Sequence, residues 1–249
     1  IMLSTKQFFT GMAVMPEDKN WICVQTYNDM DASCDLTYYD GLGYPSQVLQ
    51  VAASDGGRKD IVQPIVYDAL SREEYKYLPY SQTDNHAQYV NNVLEKQNDY
   101  YLGKYGMTNR ESAYAYTHDT YESSVLNRIS RSRNVGAEFQ SDEHSVDNGY
   151  LGNEATAILR LDVDRTTNDL VVNGYYDAKT LSGIRTEDED GAVTVVFYDE
   201  RDRAIYEDRQ LRNRNDIEHL ITRYVYDDCG RLAWCVTPKG TDLLADSQP

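Results

Sequence analysis

The chain has 249 residues, enough for one large all-β domain or two small ones with a substantial core. Its 41 acidic side chains against 24 basic ones give a formal charge of −17, which opposes nucleic-acid binding, because phosphate contact needs a basic surface. Aromatic usage is skewed to 22 Tyr against 4 Phe and 2 Trp, so most ring faces carry a hydroxyl that wants a partner, as suits sheet faces near water.

Taken in order, residues 1–20 hold Pro16 and a weak helical pattern in Lys6 to Val14, and read as a leader of uncertain order. Trp21 to Tyr27 is a strand by composition, turned by Asn28 to Asp31. Thr37 to Gln50, TYYDGLGYPSQVLQ, is a strand, a tight turn and a returning strand around Tyr39-Asp40. A carboxylate at the first turn position accepts backbone N–H groups two residues on, and Gly43 supplies the positive φ the turn needs. Asp55 to Arg58 is a loop, and Ile61 to Tyr67 is the rising arm of a second copy, Tyr67-Asp68 with Arg72. Pro64 inside that arm argues for an edge position or a bulge, since proline cannot donate to a ladder. Ser71 stands where that copy's glycine is expected, which makes the Leu70-Ser71 turn the least secure of the set.

From Asn85 to about Tyr105 the period changes to that of an amphipathic helix, capped by Asp84 or Asn85, ended by Gly103, and expected to be the one substantial helix. Tyr121-Glu122 to Arg128 reads as a divergent copy of the repeat, and Arg131 and Arg133 share one face if the segment is extended, paired with the acidic excess. The chain divides into a hairpin region 21–135, a flexible loop or joint 136–154, a second hairpin region 155–238 and a tail 239–249 that frays. Ala155 to Val163 resumes strand character, and a further hairpin is expected across Asn173-Gly174. The run Thr186 to Gly191 makes Asp188 and Asp190 weak calcium candidates, though Asp190-Gly191 is already explained as a hairpin turn. Two last copies follow, Tyr198-Asp199 with Arg203 and Tyr226-Asp227 with Gly230 and Arg231. The first two copies and the last two share one spacing, and such internal repetition indicates stacked units. The fold class is therefore mainly β, successive antiparallel hairpins forming a curved sheet or partial shell, with one helical insertion.

Cys23, Cys34, Cys229 and Cys235 are read as free thiols; a Cys229–Cys235 bridge is geometrically awkward, and no metal-ligand spacing or Cys/His nucleophile pair appears. Carboxylate pairs are the apparatus of glycoside hydrolysis, but 41 acids supply such pairs by chance. No hydrophobic run approaches the ~20 residues that span a bilayer, and no basic-then-apolar leader opens the chain at Ile1. A first residue other than Met is read as a processed or excised piece.

The copies resemble the YD repeat of Rhs proteins and teneurins, Tyr-Asp followed after two residues by Gly-Arg. YDDCGR at Tyr226 to Arg231 fits in full; Tyr44 replaces the Arg in the first copy, and Ser71 and Asp202 replace the Gly in two others, which keep Arg72 and Arg203. The phrases DGLGYPSQVLQ, IVYDALSREEYKYLPY, YESSVLNRI and RTEDEDGAVTVVFYDERDRAIYEDR, in that order, resemble the opening domain of Rhs-type proteins of Bacteroides and relatives, over roughly Trp21 to Pro238. The resemblance implies a secreted or cell-surface protein whose remaining Rhs repeats and C-terminal effector or toxin are this segment's partners. It brings no catalytic residue and no cofactor. The leading expectation is a non-enzymatic structural module that helps build or cap a β-shell around the effector. The alternatives are a module that binds a glycan or a surface protein through exposed tyrosines, and, behind it, a carboxylate-dependent glycoside hydrolase.

Overall fold

The computed structural model describes residues 17–28, 31–54, 59–82, 87–107, 113–213 and 216–246. The Lys6 to Val14 pattern, the Asp55 to Arg58 loop, the middle of the Asn28 to Asp31 turn and the Asp84 or Asn85 cap lie outside them. The protein is mainly antiparallel β and forms two compact units, Ile1–Tyr121 with Ser132–Asp142, and Glu122–Arg131 with Glu143–Pro249. No helix among the described residues is long and apolar enough to cross a membrane.

The first unit contains β1 (Asn20–Asn28), β2 (Asp31–Tyr39), β3 (Pro45–Gln50), β4 (Asp60–Pro64), β5 (Tyr75–Tyr77), β6 (Tyr80–Gln82), α1 (Val93–Tyr105) and β7 (Tyr116–Tyr121). Five strands form a sheet in the order β1-β2-β3-β4-β6, and β5 pairs with β7. Alternation places Leu36 and Tyr38 of β2, Leu49 of β3 and Val62 of β4 on one fully buried face. Ala87, Val90, Tyr101, Leu102, Ala113 and Ala115 complete a single core cluster with them and Tyr80.

Three expectations for this unit are corrected. The helix begins at Val93, not Asn85, because the backbone before it is committed to side chains: Ala87 C=O accepts the Tyr38 hydroxyl at 2.9 Å, and Val90 exchanges two hydrogen bonds with the Gln47 amide. Asn92, at φ 53°, then marks the start, and the helix ends at Gly106 rather than Gly103. There Met107 N–H donates to Leu102 C=O and Gly106 N–H to Gly103 C=O, the Schellman arrangement that a residue at positive φ permits. Pro64 lies in an interior strand rather than at an edge. Ile65 N–H bonds to Ser46 of β3, so the missing donor of Pro64 faces the other side, where pairing with β6 has already stopped at Val62.

The second unit takes the first residues of β8 (Ile129–Arg133), then β9 (Ser145–Gly152), β10 (Leu159–Val163), β11 (Leu170–Tyr175), β12 (Ser182–Glu187), β13 (Val193–Tyr198), β14 (Ala204–Asn213), β15 (Asp216–Tyr226), β16 (Leu232–Val236) and α2 (Pro238–Asp246). Six strands run in the order β16-β15-β14-β13-β12-β9, each antiparallel to its neighbour. β10 and β11 form a separate hairpin. Its Leu159 and Leu161 pack with Val225 and Val236, and Ile158, Leu181, Phe197 and Ile205 form a second cluster. Gly183 stands opposite Phe197, whose ring covers it; a Cβ there would fall 2.6 Å from Cε1.

Here too the structure departs from expectation. The segment 136–154 contains two short 3-10 turns and all of β9. Asn173-Gly174 is not a turn: β11 runs through it, and the two residues bulge opposite Arg160, with Gly174 at φ 70°. The reversal lies at Asp164 to Asp169, where Asp164 Oδ1 accepts the N–H groups of Thr166 and Thr167. The described part of the tail expected to fray lies in α2, whose first position is held by Pro238, a residue with no N–H at a place where none is needed.

Candidate functional site

The repeated turn is the same small machine at Asp40, Asp68, Asp199 and Asp227. In each, the Asp N–H donates to the C=O of the residue four positions on, and the residue three positions on donates back to the Asp C=O, at 2.8 to 3.3 Å. Asp40 Oδ1 accepts Leu42 and Tyr44 N–H at 2.8 and 2.9 Å, Asp68 Oδ1 accepts Leu70 and Arg72 N–H at 2.8 and 2.9 Å, and Asp199 Oδ1 accepts Arg201 and Arg203 N–H at 2.9 and 3.0 Å. Asp227 Oδ1 accepts Arg231 N–H at 2.8 Å. The fourth position has positive φ whether it holds Gly43, Ser71, Asp202 or Gly230. The Leu70-Ser71 turn therefore carries the same bonds as the glycine turns.

The second carboxylate oxygen has a separate task. Oδ2 of Asp68, Asp199 and Asp227 accepts both Nε and an Nη of Arg72, Arg203 and Arg231, at 2.6 to 2.8 Å. The Arg231 N–H and the Arg72 N–H are the leading causes that hold the Asp227 and Asp68 carboxyls below the ordinary range. At Asp199 burial pulls upward, but the Arg203 guanidinium and the two backbone donors outweigh it and the carboxyl is again lowered. At the first, third and fourth turns the tyrosine pairs across a bulge with Pro45, Ala204 and Leu232. The second turn lacks paired arms: no ladder joins β4 to β5 among the described residues.

The arginines also face forward along the chain. The Arg72 guanidinium lies 4.4 Å from the Tyr121 ring centroid, and the Tyr121 hydroxyl donates to Glu73 C=O at 3.4 Å. Arg128, paired with Glu122, lies 4.2 Å from Tyr150, whose hydroxyl donates to Ile129 C=O at 3.0 Å. Arg203 lies 4.7 Å from Tyr226, whose hydroxyl donates to Ala204 C=O at 3.1 Å. In all three a later tyrosine covers the arginine and bonds the residue after it. In the first copy Tyr44 replaces the arginine, and its ring meets Tyr67 of the next copy at 5.3 Å. Among the described residues Arg231 is engaged by Asp227, and its side chain is 79% exposed. Tyr39 and Tyr198 are half-buried.

Sequence reasoning missed this clamp, since members such as Arg72 and Tyr121 stand far apart in the chain. It also missed that Asp188 heads a turn of the same build: Oδ1 accepts Asp190 and Ala192 N–H at 3.1 and 2.8 Å, with Gly191 at φ 77°. The signal was there in Asp188-x-x-Gly191. Asp188 thus has a turn task where calcium ligation was considered, and no group of three or more His, Cys, Asp or Glu among the described residues is placed to hold a metal. Arg131 pairs with Asp147 and Arg133 with Asp142, each at 2.6 Å. A recess of about 290 Å³ in the second unit is lined by Asp162, Tyr176, Asp199, Glu200, Arg203 and Tyr226 among others. Asp199 there is ionised and arginine-bound, the reverse of a carboxyl tuned to give a proton.

No curated protein matches the chain. Among solved structures, the crystal structure of TcdB2-TccC3 without its hypervariable C-terminal region is similar over 91% of the chain, at 16% identity and a TM-score of 0.54. The Photorhabdus luminescens Tc holotoxin pore with a substituted TccC3 is similar over 90%, at 14% identity and a TM-score of 0.49. The chain spans about a tenth of the length of each of those chains, and at 16% identity the first likeness speaks to the fold alone. The sequence model of a family described as a domain of unknown function (DUF6443) matches residues 15–152. That match covers more than half of the chain, which therefore belongs to this family.

Proposed function

We propose that the chain is a non-enzymatic structural module, the N-terminal part of an exported Rhs-type protein, which helps build or cap a β-shell around a downstream effector. The observation that carries this reading is the forward clamp, in which an arginine fixed by its own turn is covered by a tyrosine from farther along the chain. At Arg72–Tyr121 and Arg203–Tyr226 such a device ties one copy of the repeat to a following one, which is the task of a stacked array. The likeness in fold to a crystal structure containing TccC3 supports the same reading. Its remaining partners would be the later repeats and the effector.

The test is limited proteolysis of the full-length protein with and without residues 17–246. Loss of protection of the C-terminal segment in the truncated protein supports a shell role. Equal protection in both overturns it.

A further inference from the structure

Cys23 and Cys34 sit on adjacent strands of the first unit, in the hairpin of β1 and β2. Cys23 pairs with Leu36 and Cys34 with Gln25, so the two stand diagonally on the same inner face. Their Sγ atoms are 2.8 Å apart, within about 1 Å of the ~2.05 Å disulfide bond. Cys34 is 1% exposed, while Cys23 is only half-buried and open to a reagent. Cys229 and Cys235 are both exposed, and among the described residues neither shows a sulfur neighbour.

The strand that such a bond would secure has a sheet neighbour on one side alone among the described residues: β1 is an edge, paired only with β2. Ile22 and Val24 are more than half exposed on its outer face. An uncharged run, Asn20 to Asn28, in a chain of formal charge −17 lacks the charged side chains that usually guard an edge.

We propose that Cys23 and Cys34 form a disulfide that ties edge strand β1 to β2. The oxidant is a disulfide, RS–SR, from a small thiol or a dithiol protein. The Cys23 thiolate attacks one of its sulfurs and releases RS⁻; the Cys34 thiolate then attacks Cys23 Sγ and releases the second RS⁻. Two thiols lose two protons and two electrons, and RS–SR is reduced to two RSH. Burial first, then Cys23, Asp35 and Asp60, push the Cys34 thiol of the reduced pair up to about 12, so closure of the bond quickens as pH rises.

The experiment treats the whole chain with oxidised glutathione, denatures it, labels free thiols with a maleimide and maps the peptides. The expected result is a linked Cys23–Cys34 peptide, with Cys229 and Cys235 recovered singly, carrying label or glutathione. Recovery of Cys23 and Cys34 unlinked, or a link from either to another cysteine, overturns the proposal. In Cys34→Ser the proposal requires glutathione to remain on Cys23 with no internal link; a Cys23 link to Cys229 or Cys235 in that variant would mean that proximity in the hairpin does not select the pair.

Discussion

In the first unit the buried side chains of Gln47, Asp60 and Gln97 each hold backbone that belongs to neither helix nor sheet: Gln47 holds Val90, Asp60 holds Ala52 and Ala87, and Gln97 holds Ala115. In the second, the strands mostly satisfy one another in series, and the polar anchors Asp199 and Asp227 sit at the turns, the latter with a largely exposed arginine. Asn153, which holds Asp177 and Leu181, is the nearest counterpart there to the buried anchors of the first. The contrast follows from what the chain does between strands. A segment that leaves the ladder and is then buried still has N–H and C=O groups to satisfy. A tight hairpin turn leaves few, and its own aspartate takes them. The same polar chemistry is therefore costly to lose in a buried detour and cheap to lose at a turn.

The largest expected effect is in the first unit. Gln47→Leu keeps the volume but strands the N–H and C=O of Val90, and should cost about 2–5 kcal/mol in denaturant unfolding. Amide exchange should rise around residues 87–90 and stay unchanged at β14 and β15; a loss spread evenly through both units would break the comparison. Next is Gly183→Ala, whose methyl meets the Phe197 ring at 2.6 Å and should destabilise the second unit by about 1–3 kcal/mol, read as lowered exchange protection in β12 and β13. Asp199→Ala should cost less, about 1 kcal/mol, since water replaces part of what the N–H groups and Arg203 lose. A cost as large as that of Gln47→Leu would show that the turns are anchors of the same class.

The smallest effect is in acid. The Asp68, Asp199 and Asp227 carboxyls titrate below their ordinary value of 3.8 in the folded chain. As pH falls to that value the unfolded chain binds protons first, so their contribution is present above it and lost as pH falls through the lower folded values. Thermal midpoints should decline as pH drops below about 4, and Asp199→Asn should flatten the slope. An unchanged slope would remove Asp199 from the account.

How much of this is legible in the sequence depends on the range of the interaction. The repeated turns are local, and Tyr39-Asp40 or Tyr226-Asp227 declares itself by residue type. The start of α1 does not, because what halts the helix before Val93 is Gln47, distant in sequence and fixed by the sheet. Asn173-Gly174 has turn chemistry, yet the Asp164 loop already reverses the chain and the pair is spent on a bulge. Part of the tyrosine excess is explained by the clamp: each hydroxyl in it bonds a carbonyl beside a distant arginine, a match that composition alone cannot disclose.

The clamp runs in one direction, from an earlier arginine to a later tyrosine. A chain made from its N-terminus closes each turn at once, from residues already released, but the ring that covers Arg72 arrives only with Tyr121. The turns of Arg72 and Arg203 thus wait, formed but uncovered, for chain that has yet to be synthesised. Premature release by the ribosome between Arg72 and Tyr121 would leave the face of that guanidinium open to water while its edge stays held by Asp68.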